Sequence, residues 1–229
     1  MSCLELAKNI VVAGYPRSGT SWLTRLIADS LRCPINSYYN GNRLCYKNSD
    51  GFANDVNQLA SCVRIDYALM KTHCHPQVVF TENSVFEASR ELTVFIHRDP
   101  LDVLVSCMHY YNTSFEDMLH KMQHGYREVS GFDYIRYRKD WLSEKVIATT
   151  YEKLLQKTDW ELLAIIHTLG FVETTLDDVQ NAIEQQSFAF KKASGINANH
   201  YRKGQIGSYV DELSTEQINR ARCFLGKYS

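Results

Sequence analysis

Residues 14–21, Gly-Tyr-Pro-Arg-Ser-Gly-Thr-Ser, have the glycine spacing of a phosphate-binding loop but lack one residue of it. In a loop of the form G-x-x-x-x-G-K-[ST] the lysine reaches the terminal phosphates of a nucleoside triphosphate, and here that place is Thr20. The backbone N–H groups from Ser18 to Trp22, placed at a helix N-terminus, still suit an anion, and the hydroxyls of Thr20 and Ser21 add donors. Three further clusters could do chemistry: Lys71-Thr72-His73, a cation beside a titratable imidazole; Arg98 through Ser106; and Tyr201-Arg202-Lys203-Gly204-Gln205-Ile206-Gly207, a glycine-flanked pair of cations. Each has a plain structural explanation when taken alone. The first is a strand-to-helix turn, His73 a packed histidine, Arg98 a salt bridge to Asp99 or Asp102, Ser106 part of a polar helix face, and the last a solvated loop.

The elements that must position these residues are readable from periodicity. Residues 9–13 form a short β-branched run, and in 21–31 the apolar positions 23, 26, 27 and 31 make one helical stripe, so a strand, a glycine loop and a helix follow in order. Residues 67–72, 92–97 and 146–150 read as further strands. After the third strand, Asp99 is an N-cap, Pro100 suits the first helical position, and Leu101, Leu104, Val105 and Met108 continue a helix. Helices are expected near 152–156, 159–169, 176–187 and 215–226. Residues 34–60 read as a long loop and 191–211 as a basic loop. Strands alternating with helices imply an α/β fold: one domain spanning 1–229, with a mainly parallel central sheet flanked by helices and its ligand at the strand carboxyl ends.

The chain has 229 residues, 45% hydrophobic and 22% charged, with a formal net charge of −1. That balance gives no global pull toward nucleic acid or an anionic membrane, so any anion affinity must be local. No apolar run reaches the ~18 residues of a membrane span, and the N-terminus has no signal-peptide pattern, so a cytoplasmic location is expected. The 7 cysteines include no C-x-x-C pair and are expected to be reduced thiols. His73-Cys74-His75 and the pair His120/His124 lack zinc-site spacings, so no metal site is expected, and the latter two read as surface helix residues.

Together the clusters resemble the soluble, PAPS-dependent sulfotransferases, where PAPS is 3′-phosphoadenylyl sulfate. Tyr15 to Trp22 matches Y-P-[KR]-S-G-T-[ST]-W, Lys71-Thr72-His73 matches K-T-H, Arg98 to Ser106 matches R-[DN]-P-x-D-V-x-V-S, and Arg202 to Gly207 matches R-K-G-x-x-G. Thr150-Tyr151-Glu152-Lys153-Leu154 resembles the family's T-Y-E-D-L, and Ser187-Phe188 its S-F pair. The resemblance runs from about residue 9 to about 207, and six matches in order outweigh the structural explanations of each alone.

The resemblance implies transfer of a sulfuryl group from PAPS to a hydroxyl or amine of a small-molecule acceptor, leaving adenosine 3′,5′-bisphosphate (PAP), with no metal. It implies that Arg17, Ser18, Gly19, Thr20, Ser21 and Trp22 hold the 5′ end of the donor, and that Arg98, Ser106, Arg202, Lys203 and Gly204 hold its 3′-phosphate. Trp22 and Phe188 would stack on adenine, with Tyr151 near the base. His73 would be the general base, and Lys71 and Arg17 would stabilise charge. Much of the soluble family has lysine where this chain has Arg17; other branches carry arginine. Tyr38, Tyr39 and Tyr46 in 34–60, and Tyr110, Tyr111, Tyr126, Tyr134 and Tyr137 in 108–140, are candidate acceptor walls suited to an aromatic or apolar alcohol or phenol. The K-x-x-x-T-V segment of many family dimers is absent after Gly207, which leaves the oligomeric state open. A P-loop nucleotide kinase, which would need lysine at 20, and a catalytically inactive nucleotide-binding regulator remain the alternatives.

Overall fold

The computed structural model describes residues 8–37, 45–47, 64, 66–82, 84, 86–125, 133–187 and 204–226. Among them one six-stranded sheet is formed by β1 (Lys8–Ala13), β2 (Ile35–Ser37), β3 (Cys45–Lys47), β4 (Tyr67–Thr72), β5 (Ala88–His97) and β6 (Ile147–Thr150), in the order β3-β2-β4-β1-β5-β6. All neighbouring pairs are parallel except β2 with β3. β1 is central, and its alternate side chains go to opposite faces. Val11 and Ala13 join one core with Met70 and Phe95, while Ile10 and Val12 join the other with Leu69, Val94 and Ile96. A strand buried on both faces needs this unbroken apolar sequence.

The helices that close the two cores are α1 (Thr20–Leu31), α2 (Pro76–Val79), α3 (Pro100–Tyr111), α4 (Phe115–His124), α5 (Tyr134–Ser143), α6 (Tyr151–Gln156), α7 (Thr158–Thr168), α8 (Leu176–Gln185) and α9 (Thr215–Leu225), with a 3₁₀ turn at Ser208–Asp211. α1, α7 and α8 cover the face of Ile10 and Val12, whereas α3, α4, α5 and α9 cover the other. The Asp99 carboxylate accepts from the Leu101 amide at 2.8 Å, and Pro100 occupies the first turn, as the sequence reading requires.

Three expectations change. β2 and β3 lie inside the stretch read as a long loop; at three residues each they are too short to show periodicity. β5 begins at Ala88 rather than 92, because its first half is polar and exposed. Tyr134 and Tyr137 are not acceptor walls: they are 1% and 0% exposed and pack with Trp141 against Tyr15 and Phe95. Tyr38, Tyr39 and Tyr126 lie outside the described residues, as does the side chain of Tyr46. His120 and His124 do stand exposed on α4. Cys33, Cys74, Cys107 and Cys223 are free thiols. Among the described residues no helix is long and apolar enough to cross a membrane.

Register places the chemistry. Ala13 pairs with Thr72 on one side and Phe95 on the other, and His97 pairs with Thr150. The segments that begin at Gly14, His73, Arg98 and Tyr151 therefore leave one edge of the sheet side by side. Moreover β1 is flanked by β4 and β5, so the order turns there, which is where open parallel sheets bind ligands.

Candidate active site

The cradle after β1 has no room for side chains at its glycines. A Cβ on Gly14 would stand 2.6 Å from the Ile96 carbonyl oxygen, and one on Gly19, where φ is 95°, 2.7 Å from Tyr151 Cδ2. Gly19 caps α1 without a side-chain bond, while its carbonyl accepts from the amides of Trp22 and Leu23, both at 3.0 Å. The Ser18 amide donates to Tyr15 O at 3.1 Å. Of the amides from Ser18 to Trp22, the first and last are therefore engaged within the loop, and those of Thr20 and Ser21 remain as first-turn donors without an intrahelical partner. Ser18 and Thr20 are 0% and 2% exposed, and neither hydroxyl has a hydrogen-bond partner among the described residues. Buried hydroxyls without partners beside a helix N-terminus fit an anion well: a phosphate would satisfy donors that otherwise cost free energy to bury.

Two groups at the end of β4 reach this cradle. Lys71 Nζ donates to Ser21 Oγ at 3.1 Å. His73 Nδ1 lies 2.6 Å from Gly14 O. A carbonyl can only accept, so Nδ1 carries the proton and the lone pair of the neutral ring is on Nε2. Burial pushes the His73 imidazole down to about 4, reinforced by Lys71 and Arg17 and opposed by its bond to Gly14. It is neutral at pH 7. His75 turns elsewhere: it is 1% exposed, caps α2 by accepting from the Gln77 amide, and donates from Nε2 to Asp140 at 2.8 Å. The three residues His73, Cys74 and His75 thus do not converge.

Arg17 sits at the other side of the cradle with left-handed backbone, φ 71°. Its Nε donates to Ser106 Oγ at 3.1 Å, and its guanidinium carbon lies 4.6 Å from the centre of the Tyr110 ring. Ser106, assigned by resemblance to the second phosphate, is therefore bonded to the cradle's own cation and links the two regions. Arg98 is 8% exposed, lies over the Tyr151 ring at 4.2 Å, and donates from Nη2 to Gln205 O at 2.9 Å. Its Nε has no partner among the described residues. The salt bridge considered for Arg98 is present, to Asp102 at 3.7 Å.

Asp102 and Tyr151 organise the second region, and the sequence reading did not give either this role. Asp102 is 1% exposed; its carboxylate accepts from the Gly207 amide at 2.8 Å and from Ser208 Oγ at 3.2 Å. It ties the glycine turn to α3. Tyr151 meets Trp22 edge-on, with centroids 5.7 Å apart, covers Gly19 and lies near Gly204. Glu152 accepts from the Asp99 amide at 3.0 Å, and Tyr134 donates to Arg98 O at 2.8 Å, so both ends of the β5–α3 turn are fixed. The acidic spacing of R-D-P-x-D was the available signal for Asp102.

The structure thus gathers Arg17, Ser18, Gly19, Thr20, Ser21, Trp22, Lys71, His73, Arg98, Ser106, Tyr151 and Gly204 at one edge of the sheet. Phe188, Arg202 and Lys203 lie outside the described residues. The side chain of Gln186 donates to Asp29 of α1, which ties the turn after α8 to the helix that follows the cradle.

Comparison with solved structures finds the same fold in mouse sulfotransferase SULT7A1 complexed with PAP, at TM-score 0.65 and 18% identity over 98% of this chain and 85% of that one. Retinol dehydratase in complex with retinol and PAP matches at TM-score 0.64 and 18% identity, over 95% of this chain and 80% of that one. No curated protein matches in sequence. The sulfotransferase-domain family model matches residues 7–227. With that match over nearly its whole length, the chain belongs to the sulfotransferase family, whose chemistry is sulfuryl transfer.

Proposed function

We propose that this protein transfers the sulfuryl group of PAPS to a hydroxyl or amine of a small molecule, with His73 as general base. The observation that carries the reading is the 2.6 Å contact of His73 Nδ1 with Gly14 O, which ties the imidazole to the first residue of the anion cradle and reserves Nε2 for a proton. When bound, PAPS supplies a sulfuryl group on a phosphate leaving group and a separate 3′-phosphate as handle. The cradle amides of Thr20 and Ser21 and the hydroxyls of Ser18 and Thr20 hold the 5′ end. Arg98 holds the 3′-phosphate together with Arg202, Lys203 and Gly204, and Trp22, Tyr151 and Phe188 hold the base.

In the transfer the acceptor's proton passes to His73 Nε2 as its oxygen or nitrogen bonds to sulfur, and PAP departs. Lys71 and Arg17 stabilise the negative charge that collects on the departing oxygen, an effect that grows in a site shielded from water. General-base help contributes roughly 10²–10⁴-fold. Two small molecules, retinol and androsterone, occupy the structures of retinol dehydratase, which supports an acceptor of that size. The free thiols fit the reducing cytoplasm.

Calorimetric titration with PAP and, separately, with ATP plus Mg²⁺ tests the reading. PAP is expected to bind and to be displaced poorly by ATP; tighter binding of ATP would replace sulfuryl by phosphoryl transfer.

A further inference from the structure

The reading above leaves open why the cradle's cation is an arginine. Its surroundings give a reason. Arg17 has left-handed backbone, φ 71°, a conformation that is strained for a non-glycine residue and must be held by contacts. Two contacts use different parts of the group: Nε donates to Ser106 Oγ at 3.1 Å, while the guanidinium carbon lies 4.6 Å from the centre of the Tyr110 ring. A guanidinium can do both at once because its donors lie in its plane and its face is free to stack. A lysine ammonium, a point charge on a flexible stem, has no such face. Tyr110 is one turn after Ser106 on α3 and is 48% exposed. It meets Tyr111 edge-on at 4.8 Å, which holds the ring upright.

We propose that Tyr110 is a positioning residue for the reaction, an aromatic platform that orients the Arg17 guanidinium toward the departing oxygen. The role rests on the sulfuryl-transfer reading, but the contact that produces it does not. Because the cradle holds the ground state, the platform acts where charge develops, and its loss falls on kcat rather than on donor binding.

The test is steady-state kinetics of Tyr110→Leu and Tyr110→Phe, with the Arg17 Nε–Hε resonance, assigned by its loss in Arg17→Lys, followed by NMR in the same proteins. Tyr110→Leu is expected to lower kcat about tenfold, with donor and acceptor KM within about twofold of wild type. Tyr110→Phe, which keeps the ring, is expected to retain at least about half of kcat. The Hε signal, shifted upfield by the ring in wild type and Tyr110→Phe, moves to the ordinary arginine position in Tyr110→Leu. An Hε signal unmoved by leucine overturns the proposal, as does a phenylalanine variant as slow as the leucine one. A leucine variant with raised acceptor KM and unchanged kcat makes Tyr110 an acceptor wall instead. Absence of turnover in wild type would count against sulfuryl transfer alone, and the resonance would still decide the platform.

Discussion

The acid limb of the pH–rate profile should separate the free enzyme from its donor complex. In the free protein the His73 imidazole is lowered from 6.5 to about 4, by burial first, then by Lys71, with Arg17 adding to it and the Gly14 bond opposing it. At pH 5.5 a group at about 4 is ~97% neutral, whereas one at the ordinary value is only ~9% neutral, a tenfold difference in active base. The profile of kcat/KM for the donor reports the free enzyme, so it should stay flat from pH 7.5 to below 5.5 and bend near 4. Two of the three lowering influences are the cations Lys71 and Arg17, and an anionic donor offsets both. The limb of kcat should therefore lie above that of kcat/KM, which gives a neutral, accessible base in the free site and a stronger one once donor is bound. Side-chain NMR of His73 with and without PAP reads the same two states directly. A kcat/KM limb near 6.5, or a His73 resonance that titrates there in the free protein, would refute the reasoning.

Further outcomes follow from individual contacts. Gly19→Ala places a Cβ 2.7 Å from Tyr151 at φ 95°, so it should displace the ring and weaken PAP binding by about tenfold or more in calorimetry, with a stability loss of roughly 1–2 kcal/mol. Asp102→Ala removes the acceptor of the Gly207 amide and of Ser208 Oγ and the partner of Arg98; denaturant unfolding should show a loss on the order of 2–4 kcal/mol, and PAP affinity should fall with it. His97, like His73, is lowered to about 4, by burial first and then by Arg138 and Lys153. For both groups the folded value is below the unfolded one, so their contribution is complete above about pH 6.5 and is lost as pH falls toward 4. The urea midpoint should drop across that window, and His97→Gln should flatten the drop.

The parts of the site that a sequence can show are those with local signatures. The β-branched run before Gly14, the stripe in α1 and the Asp99-Pro100 cap fixed strand, loop and helix because each depends on neighbours in the chain. β2 and β3 escaped because their pairing is decided by neighbours elsewhere in the sheet, β4 for β2 and β2 for β3, not by their own three residues. Tyr134 and Tyr137 misled because a tyrosine ring packs equally well in a core or a pocket, and only the fold shows both edge-on to Tyr15, with Tyr137 also against Phe95. The tie from Asp102 to Gly207 spans 105 positions, and that from Arg17 to Ser106 spans 89. Each motif could be seen separately, but which groups bond across them could not. The lowered His73 value was likewise hidden, since burial and the approach of Arg17 exist only once the sheet is formed.

The most direct measurement is transfer of labelled sulfate from PAPS to a panel of small alcohols, phenols and amines by wild type and by His73→Ala, with the PAP dissociation constant determined for both. The account predicts transfer by wild type, a loss of at least about 10²-fold in the variant, and a PAP affinity nearly unchanged. Equal transfer by both proteins, or loss of PAP binding along with activity, would contradict the role given to His73.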